Sequence, residues 1–424
     1  MAYILSNATY IDWESFNFSK TNILIEEGEQ GKIKFISSVP SQSDAEIIDC
    51  TGKYVTKSFV CGHHHAYSAL SRGMGAPKKS PANFLEVLQY IWWTLDKSLN
   101  KDMIEISAYL TAIASAKSGT AFVIDHHASP RSVKGSLEIM AKAFEKVGVS
   151  HLLCYEISDR DGVTIADAGL QETENYLKRN AGLVGLHASF TESDKTIKQA
   201  VKLAEKYNSG IHIHVAEDVY DQNHCLKNHG KRVVERLSDL GVLQFPKTIL
   251  GHCLHIDSDE RALIQKSKAW VVQNTESNLN NKVGFFNSEG LNKNKIMLGT
   301  DGMHSDMLRS AKAAFYVGQN FDSIDYMGSY QRFRNAHRYL QENNIAGDGE
   351  NNLVVLNYES PTDFNEKNFL GHFIFGWEAK HVEHVISNGK LIVKDKKVMN
   401  TDEESIQKQG QELSKILWKK MQAL

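Results

Sequence analysis

Phe59-Val60-Cys61-Gly62-His63-His64-His65 is a short apolar run ending in three consecutive histidines, with Ser71-Arg72-Gly73 a few residues on. If Phe59 to Cys61 is a buried strand, the histidines stand at its C-terminal end. Alternation then sets His63 and His65 on one side and His64 on the other. Two imidazoles on one face can share a metal. A polar loop whose histidines merely pack is the competing reading, and a histidine run alone does not separate the two.

The surrounding pattern does. From Ser58 to about Gly318, apolar runs alternate with amphipathic helical stretches. Strands are predicted at Phe59 to Cys61, Ala121 to Ile124, His151 to Tyr155, Leu183 to Leu186, Ile211 to Val215, Thr248 to Leu250, Trp270 to Val272 and Lys295 to Leu298. Helices are predicted between several of them, as at Met103 to Ser118, Gly135 to Val147, Asp194 to Tyr207 and Val233 to Leu240. Such repeats predict an α/β fold, a TIM-type (β/α)8 barrel whose chemistry sits at the C-terminal ends of the strands.

Residues 1–57 read instead as short strands, with Glu27-Gly28-Glu29 and Ser41-Gln42-Ser43 as turns. Strand patterns return at Leu353 to Leu356 and His384 to Ser387, and Asn388-Gly389 is a two-residue hairpin signal. The expected organisation is therefore a small β-sandwich built from both termini, residues 1–57 and 346–424, around a barrel over residues 58–345. Glu403 to Leu424 reads as a terminal amphipathic helix.

Composition narrows the function classes. The 424 residues carry a net charge of −3, with 42% hydrophobic and 23% charged residues, which gives no reason to expect nucleic acid or an anionic membrane as partner. No stretch approaches the ~20 apolar residues of a membrane span, and Met1 to Asn7 lacks a signal-peptide pattern, so a cytoplasmic protein is expected. Five cysteines without a Cys-x-x-Cys pair point to buried thiols rather than disulfides or a thiolate zinc site.

Chemistry-bearing residues fall where a barrel puts them. His63 and His65 follow the first strand, Asp125-His126-His127 the second and His187 the fourth; His214 and Glu217 lie on the fifth, His252 on the sixth and Asp301 after the eighth. Three imidazoles and one carboxylate, from His63, His65, His214 and Asp301, suit a divalent transition metal such as zinc with one position left for water. A metal lowers the pKa of such a water toward ~7. Glu217 would act beside it as acid and base, with His252 and Asp301 handling the attacking water and His187 holding a substrate atom. Asn83 to Leu99 interrupts the first repeat, and its Tyr90, Trp92 and Trp93 are candidates for contact with a flat substrate.

His63-x-His65, His214-Val-Ala-Glu217, Gly251-His252-Cys-Leu-His255 and Gly299-Thr-Asp301-Gly together resemble the metal-dependent amidohydrolase superfamily. The resemblance is to its aminohydrolase branch, which includes cytosine and guanine deaminases and the triazine chlorohydrolases. Trp92-Trp93-x-Leu95-Asp96, Asp125-His126-His127-Ala128-Ser129-Pro130, Cys154 to Gly162, Glu276-Ser277-Asn278 and Gly371 to Gly376 resemble the SsnA subgroup of aminohydrolases, associated with purine metabolism. The resemblance implies a barrel with a terminal β-sandwich and one metal per chain, zinc or iron. His187 stands where relatives with two metals carry a bridging lysine. A homo-oligomer of two or more copies is also expected.

Three departures from the family pattern stand out. Lys57-Ser58 replaces the usual Pro-Gly before the first barrel strand, Gln273-Asn274-Thr275 replaces His-Asn-Pro, and the Gly-rich return to the sandwich is shortened to Ala346-Gly347-Asp348-Gly349. The expected reaction is hydrolytic deamination of an amino-substituted nitrogen heterocycle, a purine, pterin or pyrimidine. Ring-opening hydrolysis of a cyclic amide and a non-catalytic scaffold are the alternatives.

Overall fold

The computed structural model describes residues 3–42 and 44–424; Met1, Ala2 and Ser43, the last in one of the expected turns, lie outside the described residues. The N-terminal part supplies β1 (Tyr3–Ile11), β2 (Phe18–Ile25), β3 (Ile33–Ile36), β4 (Glu46–Asp49) and β5 (Tyr54–Lys57). The chain then runs through eight strands separated by helices. They are β6 (Phe59–His64), β7 (Thr120–His127), β8 (Ser150–Ile157), β9 (Val184–Ala188), β10 (Ile211–Val215), β11 (Ile249–His252), β12 (Trp270–Gln273) and β13 (Ile296–Leu298). It returns with β14 (Leu353–Leu356), β15 (Val382–Ser387), β16 (Lys390–Lys394) and β17 (Lys397–Val398), and ends in a helix, Glu403–Ala423.

β6 to β13 pair in sequence order and in parallel. Closure comes at the strand tips, where Thr300 and Asp301 donate their amides to the His63 carbonyl at 3.0 and 3.1 Å. All eight predicted barrel strands are present, most of them extended toward the mouth by residues whose polarity hid them. Alternation along the strands splits their apolar residues between two cores. Val60, Phe122, Ile124, Leu152, Cys154, Ile249, Trp270, Val272 and Met297 gather in one cluster, joined by Ala336, Tyr339 and Leu340 of the helix Tyr326–Glu342. Cys61, Val123, Leu153, Tyr155, Ile213, Val215 and Leu250 pack in the larger cluster with the surrounding helices. β10 gives the first cluster no aliphatic residue, and the buried His212 stands there instead.

The terminal strands make one nine-stranded sheet, in which β1 pairs with β2 along one edge and with β4 and then β5 along the other. β5 pairs with β14, which joins the two chain ends. Leu5, Ile23, Ile25, Val55, Val355 and Ile386 form this unit's own core. The expected sandwich is thus a single branched sheet, and β5, adjoining Lys57-Ser58, is a strand that no alternation in Tyr54-Val55-Thr56-Lys57 signals. No helix among the described residues is long and apolar enough to cross a membrane. All five cysteines are buried and free.

Candidate metal centre and active site

Gly62 decides which way the first histidines face. Strict alternation from the outward Cys61 would send His63 and His65 outward too. The register of β6 against β7 slips between Cys61 and His64, and the irregularity turns His63 and His65 inward. A Cβ on Gly62 would meet the Leu298 carbonyl oxygen at 2.8 Å, so only glycine lets β6 pass β13 this closely. His64 faces the other way, with its Nδ1 3.5 Å from Asp125.

Backbone strain aims the other groups. Ala216 adopts φ 46°, so Glu217, which alternation from His214 would turn outward, comes back into the barrel mouth. The buried Asp221 carboxylate holds that turn by accepting the Ala216 amide at 2.9 Å. His252 and Asp301 also have left-handed backbones, at φ 67° and 51°. Non-glycine residues held this way cost of order 1–3 kcal/mol each and cluster at functional sites.

Hydrogen bonds fix the ring orientations. His65 donates Nδ1–H to the His126 carbonyl at 2.6 Å, and His214 donates Nδ1–H to the His187 carbonyl at 2.9 Å. Their Nε2 atoms point at one spot, 3.2 Å apart, with Asp301 Oδ1 3.1 Å from His65 Nε2 and 3.8 Å from His63 Nε2. His63 Nε2 is buried without a hydrogen-bond partner. Donor atoms of His63, His65 and His214 lie within 4.8 Å of one another, as do those of His63, His252 and Asp301. Converging Nε2 atoms, with the second nitrogens of His65 and His214 anchored to backbone carbonyls and that of His63 to His212 Nε2 at 2.9 Å, are the arrangement a cation needs, so the residues fit a divalent metal.

The electrostatics agree. Burial, reinforced by neighbouring imidazoles, holds His63 and His214 well below the usual histidine range, so both are neutral. Burial also opposes charge on His65, but the Asp301 carboxylate outweighs it and raises that ring to about 9. Asp301 sits well below the carboxylate range because its imidazole partners outweigh the cost of its burial. The pocket calls for positive charge where these atoms meet.

Glu217 stands beside this set. Its Oε2 is 3.5 Å from His252 Nε2, its Oε1 accepts from Asn281 at 3.4 Å, and burial pushes its carboxyl up to about 7. His252 donates Nδ1–H to Asn278 Oδ1 at 2.8 Å, which leaves its Nε2 free. His187 is buried and held neutral at about 3 by burial. Its Nδ1 bonds Thr191 Oγ1 at 2.8 Å. That hydroxyl also donates to the Ala188 carbonyl, so His187 is the donor of the pair and keeps an acceptor nitrogen at Nε2.

His65, His187, His214, Glu217, His252, Asp301, Trp92 and Trp93 all line one cavity at the barrel mouth. His63 lies behind it, fully buried. Tyr90 does not join them: its ring lies under Lys79 and lines an outer groove with Trp418. Phe84, Leu88 and Trp92 share a helical face at i, i+4 spacing, and a π-helical turn over Leu88–Trp92 precedes Trp93. Such a turn adds a residue to the helix, and both tryptophans reach the cavity.

Sequence reasoning quoted Glu156 and Arg160 within a resemblance motif but gave neither a site role, and both line the cavity. Glu156 follows the predicted third strand directly, the same strand-end rule that found the histidines. Arg160 bonds Asp96 of the insertion and lies 5.1 Å from the Trp93 ring. Asn278 and Asn281 carried no such signal, since their roles depend on contacts across the barrel mouth.

A parallel barrel with converging imidazoles, a carboxylate and a separate buried glutamate at its mouth defines a hydrolase of the metal-dependent type. The amidohydrolase family model matches residues 54–392, and the chain belongs to that family. It is 25% identical over 410 residues to the 5-methylthioadenosine/S-adenosylhomocysteine deaminase of Thermoanaerobacter pseudethanolicus, covering 91% of this chain and 92% of that protein. It is 26% identical over 421 residues to the 5'-deoxyadenosine deaminase of Methanococcus maripaludis, covering 94% and 97%. The solved structure of a zinc-bound adenosine deaminase from Xanthomonas campestris superposes with a TM-score of 0.81 at 17% identity, over 100% of this chain and 99% of that one.

Proposed function

We propose that this protein hydrolytically deaminates an amino-substituted nitrogen heterocycle of the purine type, releasing ammonia. His63, His65, His214 and Asp301 would hold one divalent metal, zinc by the preference of a nitrogen-rich donor set with one carboxylate. The observation that carries the reading is Glu217: its carboxyl faces the same cavity as His65, His214 and Asp301, lies outside the donor set, and is held near pKa 7. Relatives of nearly the same length named as deaminases of adenosine-like compounds support the choice of substrate class.

A divalent cation held there supplies water with a lowered pKa at neutral pH. Glu217 can take a proton from the adding water and pass it to the ring nitrogen beside the amine-bearing carbon, since a carboxyl with pKa near the working pH serves in both directions. His252, anchored through Asn278, keeps its free Nε2 within 3.5 Å of Glu217 and 3.7 Å of Asp301 as a second proton acceptor. His187 offers its acceptor nitrogen to a substrate N–H or O–H group. Trp92 and Trp93 provide apolar faces for a planar ring. Water's oxygen ends as the ring carbonyl, and the amine leaves as ammonia with the delivered protons.

The test is a screen of aminated purines, pterins and pyrimidines for ammonia release, run on protein purified without added metal and analysed for metal content. Ammonia in equal amount to a carbonyl product, with about one metal per chain, is expected. A ring-opened product without ammonia would redirect the reading to cyclic-amide hydrolysis. Metal retained fully after His63→Ala with His65→Ala would overturn the donor set.

A further inference from the structure

We infer that the site is selective by charge: it takes uncharged or cationic heterocycles and excludes those bearing a carboxylate or phosphate, with Glu156 the residue that enforces the exclusion. The inference rests on the deaminase reading for the ring it names, but not for the charge rule.

Among the described residues, Arg160 is the only lysine or arginine lining the main cavity. Its charge is already answered. Its guanidinium bonds Asp96, lies 3.2 Å from Asp161 Oδ2 and reaches Glu156 Oε1 at 3.5 Å. Glu156 is itself buried, 5% exposed, and turns toward the cavity from the end of β8. Its other oxygen, Oε2, lies 3.3 Å from His126 Nδ1. The His126 Nε2 lies 3.1 and 3.2 Å from the carbonyls of Leu186 and His212, which makes that nitrogen the N–H. A carboxylate offers about four acceptor sites, so with only these contacts to Arg160 and His126 Glu156 retains acceptor capacity toward the cavity it lines.

The adjoining space repeats the pattern. A second cavity shares Phe84, Leu88, His187, His214 and Glu217 with the first. Beyond those it is walled by Leu85, Phe190 and Tyr220, and its additional ionisable groups are acids, Asp218 and Asp221. No lysine or arginine lines either space among the described residues apart from the committed Arg160. A metal held by the donor set would have its charge answered by Asp301 and Glu217, so an anionic substituent beside Glu156 or Asp218 meets like charge in a low-dielectric site where no lysine or arginine is free to pair it. An N–H-bearing ring edge, by contrast, meets an ionised acceptor.

Two ligands sharing a ring and differing only in charge test this: 5'-deoxyadenosine and the adenosine derivative whose 5'-carbon is a carboxylate. On metal-loaded enzyme, kcat/KM for the carboxylate should be at least about 100-fold lower. Glu156→Gln should narrow that gap at least tenfold, and Glu156→Asp, which keeps the charge, should preserve it. Turnover of both ligands within a few-fold in the parent overturns the inference, as does an unchanged gap in a Glu156→Gln protein that retains its metal. Tryptophan fluorescence during titration with the same pair reads binding at Trp92 and Trp93 without turnover. If neither ligand releases ammonia, the deaminase reading fails for this ring; stronger quenching by the uncharged ligand still supports the charge rule, and equal or absent quenching overturns it.

Discussion

Glu217 shows how much one backbone dihedral can decide. Without the left-handed Ala216 the carboxyl would face the surrounding helices, and burial at the mouth is what lifts it to about 7. Glutamine keeps its size and can still pair with Asn281, yet cannot carry a proton. Glu217→Gln should therefore lower turnover by about 100-fold or more with metal content near the parent level, checked by steady-state kinetics beside elemental analysis. Turnover within a few-fold of the parent would leave Glu217 a structural anchor. At this scale the sequence was legible where residue type and strand end coincide, as for His63, His65, His187, His214, His252 and Asp301. It gave Asn278 no role beyond its place in a resemblance motif, because nothing local marks an amide that will anchor an imidazole 26 residues away. Glu156 was legible by the same rule and was given no site role.

The elements carry two further tests. Eight apolar runs disclosed the barrel, but the irregularity at Gly62 was invisible, since a count by twos assumes that no residue is added. Gly62→Ala forces a Cβ to 2.8 Å from the Leu298 carbonyl, an overpacking that costs about 1–3 kcal/mol. It should weaken metal retention together with stability, read by dialysis against a chelator and by thermal melts. A normal melt with normal retention would mean that β6 can move aside without disturbing its histidines. The insertion is the second case. Its aromatic residues were candidates for contact with a flat substrate, but which rings face inward depends on the π-helical turn, and Tyr90 ends outside. Trp93 contacts His187 edge-on at 6.0 Å and sits under Arg160 at 5.1 Å. Trp93→Ala should raise KM about tenfold through lost ring contact while metal content stays the same. An unchanged KM would return Trp93 to packing alone.

Over the whole molecule, both chain ends meet in one sheet through β5 and β14, and the barrel buries titratable groups far from its mouth as well as at it. These groups pull in opposite directions on acidification. Burial holds His151, at the start of β8, down to about 4. Its neutral form stabilises the fold fully above pH 6.5, and that contribution is lost as pH falls from 6.5 toward 4. Burial raises Asp221 to about 7 despite the backbone amides it accepts. Its protonated form is favoured in the fold, so its contribution is complete below pH 3.8 and lost as pH rises through 7. The two slopes oppose each other, and the parent's profile conceals both. Single variants should separate them in chelator-treated protein, where metal loss cannot confuse the reading. His151→Gln should gain on the parent in Tm as pH falls from 6.5 to 4. Asp221→Asn should lose on the parent over pH 7 to 4. Thermal melts at half-unit pH steps read both differences. Curves that run parallel to the parent would show that neither group is held out of its ordinary range by the fold.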